Sequence, residues 1–169
     1  MQVGIVMGSD SDWEKIKGTA AALEEFGIVY EVNVMSAHRT PEAVREYAET
    51  AESRGLSVII CAAGGAAHLA GVVAAHTVLP VIGIPVQTNV AGGLDSLLST
   101  VQMPGDIPVA AVGVGSGGAK NAGILAAEIL AVADKTLRQK LKDFRKGLAV
   151  KIAEKNARLK ESLKKPVQP

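Results

Sequence analysis

A chain of 169 residues can bury one sizeable core and is too short for two ordinary domains, so a single domain is expected over residues 1–169. Its composition, 48% hydrophobic with only 3% aromatic residues and 18 glycines, excludes a disordered chain and suits strands packed against small-residue helices. The net charge of +1 hides a division: residues 134–169 hold 12 of the 18 lysines and arginines and 4 of the 17 acidic residues, leaving +8 there and −7 before it.

In chain order, "QVGIVMG" (2–8) reads as a buried strand. It leads into a helix with Trp13, Ile16, Ala20 and Leu23 at helical spacing and Gly27 as its stop. "IVYEVNVMS" (28–36) is a second strand, followed by a helix over 40–55 with Thr40 as N-cap, Pro41 at the first helical position and Gly55 past the end. Strands "LSVIICAA" (56–63) and "PVIGIPV" (80–86) flank a Gly/Ala-rich helix over 66–77. "IPVAAVGVG" (107–115) precedes a small-residue helix over 119–133. Five strands alternating with helices predict an α/β fold, a three-layer doubly wound parallel sheet covered on both faces. Residues 1–133 form that core.

Over 134–163, Leu137, Leu141, Phe144, Leu148 and Ile152 recur at helical spacing, which predicts an amphipathic helix docked on the core or on a neighbouring subunit. The basic stretch lacks interleaved aromatics, so nucleic acid is not expected as a partner. "KKPVQP" (164–169) reads as a disordered tail. Met1-Gln2 runs straight into a strand rather than a signal peptide, and no apolar run nears the ~18 residues of a membrane span, so a cytoplasmic protein without membrane contact is expected. The lone Cys61 lies in an apolar run and reads as a small buried hydrophobe.

In a doubly wound sheet, ligands bind at the carboxyl ends of the strands. Three loops there carry unusual residues. In "GSDSDWE" (8–14), Ser11 followed by Glu14 reads as a capping box opening a helix, with Gly8 allowing close backbone approach and Ser9 and Ser11 supplying hydroxyls. The same pattern fits plain capping or a phosphate cradle. Asp10 and Asp12 would repel a phosphate but suit ribose hydroxyls, which points to a sugar phosphate. In "VMSAHRTPEA" (34–43), Arg39 is a fixed charge able to hold phosphate oxygens beside a helix start. His38 is there of the one side-chain type that titrates near neutral pH, hence a candidate general acid/base. In "CAAGGAAHLAG" (61–71), Gly64 and Gly65 let the backbone fold over a ligand or pack closely, with Ala66 and His68 alongside. No histidine or cysteine shows metal-ligand spacing, so neither a metal nor another cofactor is expected, and His76 is assigned no function.

The pieces "MGSDSDW", "SAHRTP", "GGAAHL", "GLDSLLSTVQMP" and "AKNAG", in this order across residues 3–133, resemble the 5-(carboxyamino)imidazole ribonucleotide mutase family of purine (IMP) biosynthesis, in its class I form. The resemblance implies a flavodoxin-like fold and an isomerase that moves a carboxylate from the exocyclic nitrogen of a ribonucleotide to carbon 4 of its ring, without metal or redox cofactor. It implies a homo-oligomer, an octamer, with a ribonucleotide as small-molecule substrate. Residue by residue, it makes His38 the general acid/base and Ser9, Asp12 and Arg39 substrate contacts, with Ser11 in the phosphate cradle. Gly8, Ser36, Ala37, Gly65, Ala66 and His68 would shape the pocket. The chain departs from the family at Cys61, Ala62 and Ala70, where the family has Ala, Gly and Pro, which predicts altered geometry in the third loop.

Two rivals are set against this reading. A class II carboxylase would share fold and histidine but add free carbon dioxide to the uncarboxylated ribonucleotide. A flavin or nucleotide carrier would need aromatics in the site loops, and the chain's Trp13, two tyrosines and two phenylalanines supply none there beyond Trp13 at a loop's end.

Overall fold

The computed structural model describes residues 2–163; the expected disordered tail lies outside them. Five strands, β1 (Val3–Met7), β2 (Tyr30–Val34), β3 (Val58–Ala63), β4 (Val81–Pro85) and β5 (Ala110–Ala111), pair in the order β2-β1-β3-β4-β5, every pairing parallel. This is the flavodoxin-like order, whose switch point lies between β1 and β3. β1 is buried at all five positions and β4 likewise, because helices cover both faces and leave no polar side to alternate with.

The helices are α1 (Trp13–Phe26), α2 (Pro41–Thr50), α3 (Leu69–Ala74), α4 (Leu94–Val101), α5 (Ser116–Leu130) and α6 (Lys135–Ser162). On one face, Ile5, Met7, Ile60 and Ile84 meet Ile16, Leu23 and the alanines of α5. On the other, Val6, Ile59 and Cys61 meet Val44 and Tyr47 of α2 and Val73 of α3. Small residues set the spacing. α1 and α5 pack so closely that a Cβ on Gly123 would sit 2.6 Å from the Thr19 carbonyl oxygen, and the Thr19 hydroxyl donates to Ala119 O at 2.7 Å. α4 seats against β4 because residue 83 is glycine: a Cβ there would lie 2.4 Å from Thr100 Cγ2.

Three sequence expectations are corrected and one helix is added. Helix α4 lies in "GLDSLLSTVQMP", for which the sequence reading gives no element: its Ser and Thr side chains, which weaken any helical signal, satisfy backbone groups of the helix and its neighbours. The fifth strand shrinks from nine residues to two, β5 pairing with β4 only at Ile82 and Gly83. The helix predicted over 66–77 shortens to six residues, since Gly65 takes φ +71° and the chain turns through Ala66–His68 before winding. Nor does Ser11 form a capping box with Glu14. The N-cap of α1 is Asp12, preceded by a 3-10 turn over Asp10–Asp12 that the Ser9 hydroxyl caps, while Glu14 pairs with Lys17 at 2.6 Å.

The C-terminal helix docks on the core only through its first turns. Leu137 and Leu141 are buried and Phe144 meets Phe26 edge-on at 5.4 Å; Leu148 and Ile152 stay exposed. Asp134 starts it, accepting from the backbone N–H of Thr136 and Leu137. No helix of the described residues is long and apolar enough to cross a membrane. Cys61 is buried and burial pushes its thiol far above the usual range, so it packs as a small hydrophobe.

Candidate functional site

The carboxyl ends of β1, β2, β3 and β4 surround a cavity of about 460 Å³ at the switch point. Its floor is apolar, from Ala63, Leu69 and Val86; its rim is polar and charged, from Ser9, Asp12, Lys15 and Arg39.

The loop after β2 is locked by two hydroxyls. Ser36 Oγ accepts from the backbone N–H of His38 (3.4 Å) and Arg39 (3.3 Å), while Thr40 Oγ1 accepts from Ser36 N–H (3.0 Å) and donates to Ser36 O (3.1 Å). Thr40 therefore occupies the N-cap position of α2, as the sequence predicts, but spends its hydroxyl on the loop rather than the helix. The result is a tight turn that displays His38 and Arg39 toward the cavity. Arg39 Nη2 donates to Gly8 O at 2.9 Å, tying this loop to the one after β1. Its guanidinium has no carboxylate within ion-pair reach among the described residues, so the charge is available to an anion.

His38 Nε2 and His68 Nδ1 stand 2.9 Å apart, with the rings edge-on (89°) and centroids 5.0 Å apart. Neither is an obligatory donor: a neutral imidazole donates from one nitrogen and accepts at the other, so the pair accommodates a proton on either partner. Both rings are exposed at the cavity. On the opposite rim, Asp12 is half-buried, and that burial holds its carboxyl above the usual carboxylate range, with the Lys15 ammonium opposing.

Of the residues the sequence singles out, Gly8, Ser9, Asp12, Ser36, Ala37, His38, Arg39 and Ala66 line this cavity together. His68 stands at its edge through the bond to His38, and Gly65 turns away with its left-handed φ. Ser11 is exposed; its hydroxyl lies 2.8 Å from that of Ser9, and its N–H is taken by Asp10 Oδ1 at 2.9 Å. Among the departures from the family pattern, Ala62 lies in β3, extended and fully buried against Met7 and Ile84, where positive φ is not used. Ala70 is buried beside Gly83.

The supports lie in the "GLDSLLSTVQMP" motif, where the sequence singles out no individual residue. Ser96 of α4, fully buried, donates to Val86 O (2.7 Å) and accepts from Gly65 N–H (2.9 Å); Ser99 donates to Gly65 O (3.1 Å). These bonds pin the glycine loop to the end of β4. Thr88, on the rim, donates to Asp95 at 2.6 Å, which holds that half-buried carboxylate below its usual range. Lys15 and Gln87 also line the cavity. A signal was present for Lys15, which lies one helical turn after Asp12 and so shares its face.

Fold and site together define an α/β protein with a cavity of about 460 Å³ at a topological switch point, furnished with one histidine pair and charges of both signs outside any ion pair among the described residues. The comparisons narrow this class. The family model described as AIR carboxylase matches residues 2–151. The N5-carboxyaminoimidazole ribonucleotide mutase of Bacillus subtilis is 54% identical over 157 residues, covering 93% of this chain and 97% of that protein. The mutase of Mycobacterium tuberculosis is 56% identical over 158 residues, covering 94% and 90%. Among solved structures, Treponema denticola PurE superposes with a TM-score of 0.83 at 33% identity, covering 94% of this chain and 98% of that one. The chain belongs to the AIR carboxylase family and, within it, stands with the mutases: it is an enzyme of the isomerase class.

Proposed function

We propose that the chain converts N5-carboxyaminoimidazole ribonucleotide to its 4-carboxy isomer in purine biosynthesis, with His38 carrying the proton for both half-reactions. The observation that supports this reading is the convergence of His38 and Arg39 with Ser9 and Asp12 on one cavity, with His68 2.9 Å from His38.

Arg39 and the Ser9 hydroxyl hold the phosphate, and Asp12 accepts from the ribose hydroxyls, so the ring cannot turn away from the imidazole. Protonated His38 donates to the exocyclic nitrogen as the nitrogen–carbon bond breaks. The bonding pair stays on nitrogen and carbon dioxide is released. Carbon 4 then attacks the carbon dioxide, and neutral His38 removes the proton from that carbon, restoring the aromatic ring and its own charge. The proton count closes without any other reactant. His68 shares the proton on the His38 ring and fixes its plane. The apolar floor of Ala63, Leu69 and Val86, with the Gly64–Ala66 backbone, keeps the gas beside the ring.

The same reading makes the enzyme cytoplasmic, independent of metal and cofactor, and a homo-octamer in which the outer part of α6 contacts a neighbouring copy. Leu148 and Ile152, exposed on that helix, support the last point.

Replacing His38 with Asn tests the assignment: ribonucleotide binding stays and turnover falls by ~10² or more. Binding lost with turnover intact per bound substrate refutes the role of His38. Supplying the uncarboxylated ribonucleotide with carbon dioxide is the second arm; efficient conversion there, with none of the carboxyamino substrate, assigns the class II carboxylase reaction instead.

A further inference from the structure

Beside the site cavity lies a smaller one of about 200 Å³, between the first turn of α1, the end of β4 and the start of α5. The two share a wall made of Lys15, Val86 and Gln87. Val86 is buried and follows directly on β4, its N–H bonded to Ala63 O at 2.9 Å. Gln87 is exposed, and its backbone carbonyl accepts from Lys15 Nζ at 3.1 Å. The Lys15 side chain is exposed, anchored by that single bond and in no ion pair among the described residues, so it is free to swing. Its neighbour Lys17 is instead held by Glu14, and Glu14 lines the smaller cavity.

Resting on the decarboxylation and recapture described above, we infer that Lys15 is a positioning residue whose side chain closes the site cavity toward the α5 side and keeps released carbon dioxide with the ring. Carbon dioxide is small, uncharged and linear, so neither Arg39 nor a hydroxyl holds it; only the walls do. Recapture competes with escape, and the apolar floor where the gas waits ends at Val86, a residue of the partition itself. A lysine suits this wall. Its four-carbon stem covers apolar surface while its ammonium reaches a carbonyl across the gap. With the bond broken the stem rotates out, and the site gains an exit.

The test compares the wild-type enzyme with Lys15→Ala, which removes stem and bond, and Lys15→Met, which keeps the stem. Both residues favour helix at an exposed position, so folding is retained, checked by Tm. Substrate labelled in its carboxylate is turned over in a sealed vessel. The readout is the ratio of label lost as carbon dioxide, with uncarboxylated ribonucleotide left behind, to label transferred to carbon 4, after subtracting loss without enzyme. Lys15→Ala raises this ratio about tenfold or more with KM changed less than about threefold, and Lys15→Met falls between. An unchanged ratio in Lys15→Ala overturns the inference, as does a change confined to KM, which would make Lys15 an anion contact. If the wild-type enzyme transfers no label at all, the proposed reaction itself fails and the inference with it; the wild-type control separates the two failures.

Discussion

Replacing Ser96 with Ala removes one oxygen from a fully buried position and orphans two backbone groups: the Val86 carbonyl it donates to at 2.7 Å and the Gly65 N–H it accepts from at 2.9 Å. A buried polar group left without a partner costs about 1–3 kcal/mol. Val86 is buried and bears its share in full; Gly65 is partly exposed and recovers some of its share from water, which gives a total of roughly 2–3 kcal/mol. For a domain of this size each kcal/mol shifts Tm by about 2–4 °C, so Tm falls by roughly 5–10 °C. The functional effect is separate. Ser99 still bonds Gly65 O at 3.1 Å, so the loop stays tethered at one point and free to pivot, and the Gly64–Ala66 wall no longer faces the ring squarely. Turnover falls by roughly tenfold to a hundredfold with KM within about threefold, because positioning rather than binding is lost. Calorimetry gives the first quantity and steady-state kinetics the second. A Tm drop below 2 °C would refute the orphaned-group reasoning; a full Tm drop with unchanged turnover would show that the loop's exact placement does not matter to the chemistry.

Gly118→Ala puts a Cβ 1.5 Å from Gly113 O, backbone against backbone, so the enzyme loses ~3 kcal/mol or more and the variant is recovered with a Tm lower by at least ~6 °C. Gly65→Ala meets no atom within 4 Å but must adopt φ +71°, and costs about 1–2 kcal/mol by denaturant titration with loss of turnover. Asp12→Asn acts in opposite directions on stability and binding. Burial raises the folded Asp12 carboxyl above its unfolded value, so this group is least costly below the unfolded value, and stability is lost as pH rises through the folded one. The amide has no such dependence: near pH 7 the variant melts up to a few degrees higher while binding ribonucleotide more weakly, and a lower Tm there would contradict the sign. Arg39→Met leaves Gly8 O without its 2.9 Å donor and the phosphate without its fixed charge, so KM rises by about tenfold or more, and the rise shrinks as salt screens the wild-type contact.

The sheet is legible because β1, β3 and β4 are buried on both faces and so spell out unbroken apolar runs. β5 was overread for the same reason. "IPVAAVGVG" is apolar throughout, but the chain leaves the sheet after two paired residues and packs Val109 and Val112 on opposite helical layers, so apolar character there records packing rather than pairing. α4 is hidden from the other direction: its serines and threonine carry loop signals, and although Ser99 and Thr100 bond carbonyls within the helix, what seats it are the bonds of Ser96 and Ser99 to Gly65 and Val86, residues outside it in sequence. A local signal cannot carry a long-range hydrogen bond.

The site divides along the same line. Residues that line the cavity sit at strand ends beside helix starts, where polar and titratable groups interrupt apolar runs, and Ser9, Asp12, His38 and Arg39 are legible in the sequence on that ground. Residues that hold them do not interrupt anything. Ser36 and Thr40 fix the His38 turn through four hydrogen bonds within five residues, and that much is readable, since serine and threonine flanking a turn suggest it. His68 looks like an ordinary helix-start histidine until the crossover from β2 to β3 brings it 2.9 Å from His38. The capping box at Ser11 fails for a related reason: Ser9, two residues earlier, caps a 3-10 turn ahead of the helix, and Glu14 finds Lys17. Four separate stretches therefore have to arrive at one cavity before His38 can meet His68 or Lys15 can reach Gln87, and the parallel sheet is what delivers them, by ending every strand on the same side.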